Sequence, residues 1–229
     1  MRIDEAANNA ALEQSSMGPE LSRAYLTRRE ALAARAGDLG GVELMRAYSD
    51  LTDALVARIY DIASEGCPPD DLAVAAVGGY GRREMSPFSD VDVTFIVGAG
   101  DEESTEPIVK RAFRLLMDVL DQSGINVGYS YRRMDDVENL PLETQTALLD
   151  ARRVIGSAAL FDAFEAALRR AIVPAAFVIG HIESRTGRRG DSRTPFVVEP
   201  DVKEGDGGLR DLHAARPESV RGGGPALDG

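Results

Sequence analysis

Apolar positions change period several times along the chain, and each change marks an element. Residues 5 to 36 are rich in Ala, Leu, Glu and Arg, which predicts helix, broken around Gly18-Pro19. Val42 to Ser64 sets Leu44, Leu51, Leu55, Val56, Ile59 and Ile62 at helical spacing, and Gly66 with Pro68-Pro69 ends that run. Leu72 to Val77 is a continuous apolar run between Asp71 and Gly78-Gly79, the pattern of a short buried strand. Arg82, Arg83 and Glu84 predict a short helix stopped by Pro87, with Ser89 starting the next segment. Val91, Val93, Phe95 and Val97 then alternate with Asp92, Thr94 and Ile96, so the period falls to two and predicts a second strand.

Helical spacing returns from Pro107 to Ser123, with Phe113, Leu116, Met117 and Leu120 on one side and Gly124 closing the run. Ile125 to Tyr131 reads as a third strand, and Leu140 to Val154 and Ala158 to Ile172 as helices. Gly187 to Thr194 is polar and glycine-containing, which predicts a mobile loop, and Phe196 to Val198 is a short extended piece. The order helix, strand, short helix, strand, long helix, strand predicts an α+β fold, a small mixed sheet with helices on one face. The expected organisation is an N-terminal helical region over 1–66, a main domain over 67–213 and a disordered tail over 214–229.

The chemistry concentrates where the first strand ends. Gly78-Gly79-Tyr80-Gly81-Arg82 leaves that strand, and Asp90-Val91-Asp92 opens the next. Glycines after a strand let the backbone turn tightly and aim N–H groups at phosphate oxygens. A helix opening at Arg82 would add positive potential there. Residues at i and i+2 of a strand share a face, so Asp90 and Asp92 project together and can share a hard divalent cation. Mg²⁺ takes oxygen ligands, commonly one or two carboxylates plus substrate phosphates. Either motif alone is often a capped turn or a simple bend. Together, in this order and separation, they point to nucleotidyl transfer.

The run from Gly78 to Val97, GGYGRREMSPFSDVDVTFIV, resembles the signature of the polymerase-β-type nucleotidyltransferase superfamily, nearest its protein-PII uridylyltransferase branch. Glu199 to His213, EPDVKEGDGGLRDLH, resembles a second segment of that branch, with Asp206 where relatives often carry proline. Val127 to Arg133 resembles a third segment, with Tyr129 in place of histidine, and Thr146 to Arg152 also fits. The likeness spans about residues 40 to 213.

The resemblance implies a polymerase-β-like fold and transferase chemistry of the EC 2.7.7 class. It implies Mg²⁺ as cofactor, UTP as donor and a tyrosine of the nitrogen-signalling protein PII as acceptor. Asp90 and Asp92 are the expected catalytic and metal residues. Gly78 and Gly79 place backbone donors at the phosphates, with Arg82 and Ser89 as helpers. Many superfamily members carry a third carboxylate on a later strand. The candidate strand here has no acid, so either two aspartates suffice or another acid reaches in; Asp150 is the residue to test, with a helix-surface charge as its plain alternative. Arg132 reads as a bidentate phosphate donor or a solvated strand end. Lys203 and Arg210 flank a glycine-rich turn, where they contact phosphate or clamp the turn onto the domain. Arg185, Arg188, Arg189 and Arg193 read as a solvated basic loop, or as an attractor for an acidic partner.

Composition narrows the classes. The chain has 229 residues, 44% of them hydrophobic, enough for a substantial core. A net charge of −12 disfavours nonspecific nucleic-acid binding and suits a metal-bound triphosphate better than a bare one. Cys67 is single, so there is no disulfide framework or thiolate zinc site. Met1 to Glu5 lacks the pattern of a secretory signal, and no apolar run approaches the roughly 20 residues a membrane span needs. A cytoplasmic protein without membrane contact is expected. His181 and His213 are too few and too isolated for a metal-hydrolase site. The uridylyltransferases the chain resembles usually continue into a metal-dependent phosphohydrolase domain and small-molecule sensor domains, neither of which is read in this sequence, so neither nucleotide removal nor sensing by those modules is expected. Relatives continue beyond the segment ending at His213 into an apolar helix, whereas Pro217 and Gly222-Gly223-Gly224 follow here, which suggests a truncated product or a fragment. Two other classes stay open: a small-molecule nucleotidyltransferase, and a non-catalytic nucleotide-binding regulator.

Overall fold

The computed structural model describes residues 3–100 and 102–188, together with 202, 208, 209 and 212. In chain order the elements are α1 (Ile3–Ala34), α2 (Gly41–Ala63), β1 (Leu72–Ala76), α3 (Gly78–Gly81), β2 (Val91–Val97), α4 (Glu102–Asp121), β3 (Val127–Arg133), α5 (Leu142–Leu149), β4 (Arg152–Gly156), α6 (Ala158–Ala171) and α7 (Pro174–Arg188). A 3₁₀ turn spans Met134–Asn139. They fall into two compact units. One holds the residues up to Asp135 with Ala151–Phe164, the other Asp136–Asp150 with the residues from Glu165 onward.

The first unit is built on a four-stranded mixed sheet of order β3-β2-β1-β4. β1 runs antiparallel to β2 and β4, and β2 runs parallel to β3. The period-two pattern of β2 explains its orientation. Val91, Val93, Phe95 and Val97 enter the core beside Leu72, Val74 and Ala76 of β1. Leu55 and Ile59 of α2 and Leu116 and Leu120 of α4 close that core. Each such aliphatic side chain contributes about 1.5–3 kcal/mol when fully buried. Polar contacts orient the helices: Tyr25 and Thr52 hydroxyls lie 2.8 Å apart between α1 and α2, and the Glu43 carboxylate accepts the Gly40 N–H at 3.3 Å where α2 begins.

The structure corrects several expected boundaries. α1 runs unbroken through Gly18-Pro19. Gly18 sits in contact range of Asp118 and Leu115 of α4, and packing of α1 against α4 offsets the bond Pro19 cannot donate. α4 starts at Glu102 rather than Pro107. The expected helix over 140–154 ends at Leu149, and Arg152–Gly156 becomes a fourth strand. β1 would otherwise expose an unpaired edge, and pairing there outweighs the weak strand propensity of an arginine-rich segment. Gly156, at φ 88°, approaches the Leu72 carbonyl more closely than a Cβ would permit.

In the second unit α5 and α7 pack together. A Cβ on Gly180 would lie 2.9 Å from Leu142 Cδ2, and the Thr146 hydroxyl is 2.8 Å from His181 Nε2. α7 carries no clean apolar stripe to read: Phe177 is buried while Val178, Ile179 and Ile182 are exposed. It includes Gly187 and Arg188, so the expected loop does not begin at Gly187. The rest of that loop, Phe196 to Val198, Lys203, Arg210 and the tail over 214–229 lie outside the described residues. Among the described residues no helix is long and apolar enough to cross a membrane.

Candidate active site

The glycine turn itself is the helix. Val77 is extended, Gly78 takes φ 58°, and α3 follows at once, one turn earlier than the expected helix at Arg82 to Glu84. Arg82 instead caps α3, and Arg83 takes φ 60°. The N–H of Arg83 bonds the Tyr80 carbonyl at 3.1 Å and that of Glu84 bonds the Gly79 carbonyl at 2.8 Å. This double closure ends helices at a left-handed residue, normally glycine. Three glycines in four residues make a helix here hard to read from propensity.

The turn stands directly beside β2. The Val77 N–H bonds the Asp92 carbonyl at 3.1 Å, and a Cβ on Gly78 would lie 3.7 Å from Asp92 Oδ2. Across the parallel pair, Asp92 is in register with Gly128. A Cβ on Gly128 would overlap Asp92 Oδ1 and lie 3.2 Å from its Cγ. The Asp92 carboxylate is thus half-buried between two glycines, one on each side. Val91 is fully buried in the core, so its neighbours Asp90 and Asp92 project the other way. Asp90 is exposed and accepts a 3.0 Å hydrogen bond from Asn126 Nδ2. Asn126 also accepts the Val91 N–H through its carbonyl, so it braces the start of β2 twice.

Ser89 closes a turn. Its hydroxyl accepts the Ser86 N–H at 2.8 Å. Arg29 supports the same turn from α1. It is buried among Tyr25 and Tyr48 and donates to the Pro87 carbonyl. Arg82 lies along the glycine turn, with Nη2 3.9 Å from where a Gly79 Cβ would sit, and pairs with Glu84 at 2.7 Å. Arg132 is in register with Ile96, four residues beyond Gly128, on the face that also carries Asp92. The Thr94 and Ser130 hydroxyls, 2.8 Å apart on that face, fix the shared orientation. Arg132 Nε is buried without a hydrogen-bond partner. Asp150 caps the C-terminus of α5 and belongs to the second unit.

One cluster carries no signal in the local pattern. Arg152 of β4 meets Asp53 of α2 in a two-pronged pair, 2.8 and 3.0 Å. The Tyr80 hydroxyl donates to the same carboxylate at 2.7 Å. Burial, then the Asp53 charge and hydrogen bond, push the Tyr80 hydroxyl far above its ordinary pKa, so it stays a donor. Burial pulls the Arg152 pKa down, but the hydrogen bonds and charge of Asp53 outweigh it and the net shift is upward. Arg152 and Tyr80 lie in segments quoted above for their resemblance, yet only the folded chain brings Asp53 to them.

Two carboxylates with hard oxygen donors, next to a glycine turn and with Gly128 leaving room for Asp92, fit a divalent cation bound to phosphate. Among the described residues no group of three or more His, Cys, Asp or Glu is placed to hold a metal. Residues 27–131 match the family described as "Putative nucleotidyltransferase DUF294". This region is similar to a nucleotidyltransferase family. Beyond it, residues 176–216 match the family described as GlnD PII-uridylyltransferase. A bifunctional uridylyltransferase/uridylyl-removing enzyme of Novosphingobium aromaticivorans is 41% identical over 160 residues, 66% of this chain. Enzymes of the same description from Burkholderia mallei and Burkholderia orbicola are 37% and 36% identical over 148 residues, 63% of the chain. The chain spans 17% of the length of these curated relatives.

Proposed function

We propose that the chain transfers a nucleotidyl group from a Mg²⁺-bound nucleoside triphosphate to a hydroxyl, with UTP as donor and a tyrosine of a PII-type signalling protein as acceptor. The observation that carries this reading is the Asp92 carboxylate seated between Gly78 of the turn and Gly128 of β3. The glycine turn is suited to the phosphates because Gly78 and Gly79 add no side chain between backbone and ligand. Asp90 and Asp92 would hold the metal, which supplies neutralisation of phosphate charge when bound.

The acceptor oxygen attacks the α-phosphorus, the bond to the β-phosphate oxygen breaks, and pyrophosphate leaves. Asp90, exposed and steadied by Asn126, would take the hydroxyl proton. Arg82 and Arg132 are the proposed cationic contacts to phosphate, and Ser89 holds the approach to Asp90. UTP and PII are supported by the second family match and by the relatives' description, and no residue described here selects uracil. Incubating the chain with labelled UTP, ATP, CTP or GTP, with and without PII, tests the reading. Label passing to PII from UTP supports it. Label on a small molecule alone, or binding without transfer, contradicts it.

A further inference from the structure

The glycine turn has an unusual supply problem. Gly78, Gly79 and Gly81 carry no side chain, so Tyr80 is the one residue of α3 that can anchor it by packing or polar contact. Tyr80 is buried and its hydroxyl bonds Asp53. The carbonyl end of the same turn is also held. Arg152 Nε donates to the Gly81 carbonyl at 3.3 Å and Nη2 to the Tyr80 carbonyl at 3.4 Å. The guanidinium is itself fixed by its paired bonds to Asp53 and lies 5.6 Å from the Tyr80 ring centroid. Arg152 is in register with Ala76, the last residue of β1 before the turn.

One planar group therefore references the turn to β1, β4 and α2 at once. We propose that Arg152 is a positioning residue for the phosphate-binding turn: held by Asp53, it fixes the Tyr80 and Gly81 carbonyls and thereby the direction of the N–H groups at Gly78 and Gly79. Arginine suits the task, because its fixed fork of donors satisfies a carboxylate and two carbonyls together, which a lysine ammonium cannot do with the same geometry. The link to phosphate rests on the nucleotidyl-transfer reading above, whereas the clamp on the turn does not.

The full chain as Arg152→Lys, Asp53→Asn and Tyr80→Phe, with Leu116→Ala of α4 as a core control that makes none of the clamp's hydrogen bonds, separates the two. Amide hydrogen exchange without nucleotide comes first. Gly81 and Arg82, whose N–H groups bond Val77 and Gly78, should exchange at least tenfold faster in the clamp variants, while β2 amides keep their relative protection. Leu116→Ala should accelerate exchange across the sheet without singling out the turn. With UTP and magnesium, KM for UTP should rise about tenfold in Arg152→Lys, with kcat within about threefold. A uniform loss of protection, matching Leu116→Ala, overturns the clamp. Local loosening with unchanged KM overturns its role in nucleotide binding. If wild-type protein neither binds nor turns over UTP while the turn still loosens locally, the clamp stands and the nucleotidyl-transfer reading fails.

Discussion

Gly128 stands opposite Asp92 across the β2–β3 pair with no space for a Cβ between them. The pairing is the reason the carboxylate can lie flat against the sheet beside the glycine turn. Gly128→Ala should push Asp92 out of place and lower transfer by about 100-fold or more, the usual cost of an ångström-scale misplacement. The fold should survive, because neither residue enters the helix-packed core. Steady-state rates alongside a thermal melt check this, and an active Gly128→Ala would show that Asp92 does not act from its observed position.

Arg83 and Gly78 make a contrasting pair. Both have positive φ, 60° and 58°, but only Gly78 is suited to it. Arg83 is held there by closure of α3 and by an ion pair with Asp50 at an exposed site, where such pairs contribute little. Arg83→Gly should stabilise the chain by about 0.5–1 kcal/mol, and Gly78→Ala should destabilise it by at least that much. Denaturant unfolding of both variants measures the two signs.

Alkaline pH should weaken the fold through two buried tyrosines, Tyr60 and Tyr80. Burial, with Asp61 and Asp70 nearby, pushes the Tyr60 hydroxyl up to about 12, and Tyr80 is also raised. An ordinary tyrosine titrates near 10. A raised folded-state pKa favours the protonated form, so the contribution is intact below about pH 10 and is lost as pH climbs through the folded value. Melting temperature should be insensitive to these two groups at neutral pH and fall from about pH 10 upward. Tyr60→Phe should flatten that fall, and an unchanged slope would contradict the assignment.

Arg29 should matter more than its distance in sequence from the site suggests. Removing it as Arg29→Met leaves the Tyr25 hydroxyl and the Pro87 carbonyl without its donors. A loss of about 1–3 kcal/mol is expected, the usual penalty for breaking buried polar contacts. Exchange at Ser89, whose N–H closes the Ser86 turn, should quicken in step.

Much of this was legible in the sequence because the signals were local. The alternation from Val91 to Val97 gave both the strand and its buried face, and the spacing from Leu44 to Ile62 gave α2 within a residue or two. The glycine turn and the Asp90-Asp92 pair were readable because each is a short chemical pattern. What escaped depends on distant partners. β4 exists because β1 has an edge to fill, and nothing in Arg152 to Gly156 announces that. Asp53 looks like any polar residue on an amphipathic helix until Arg152, ninety-nine positions on, meets it. Gly128 reads as a flexible strand residue until Asp92 is placed beside it. The helix expected at Arg82 was displaced because glycines argue against helix, whereas closure at Arg83 and Glu84 stabilises one over Gly78 to Gly81.

The central claim is that the carboxylate between Gly78 and Gly128 works on a metal-bound triphosphate. Transfer of label from UTP to PII by wild-type chain and by Asp92→Asn, each with a magnesium titration, tests it most directly. Loss of at least 100-fold in Asp92→Asn, in protein that melts as wild type does, is the predicted result. Wild-type rates in Asp92→Asn at ordinary magnesium would contradict it.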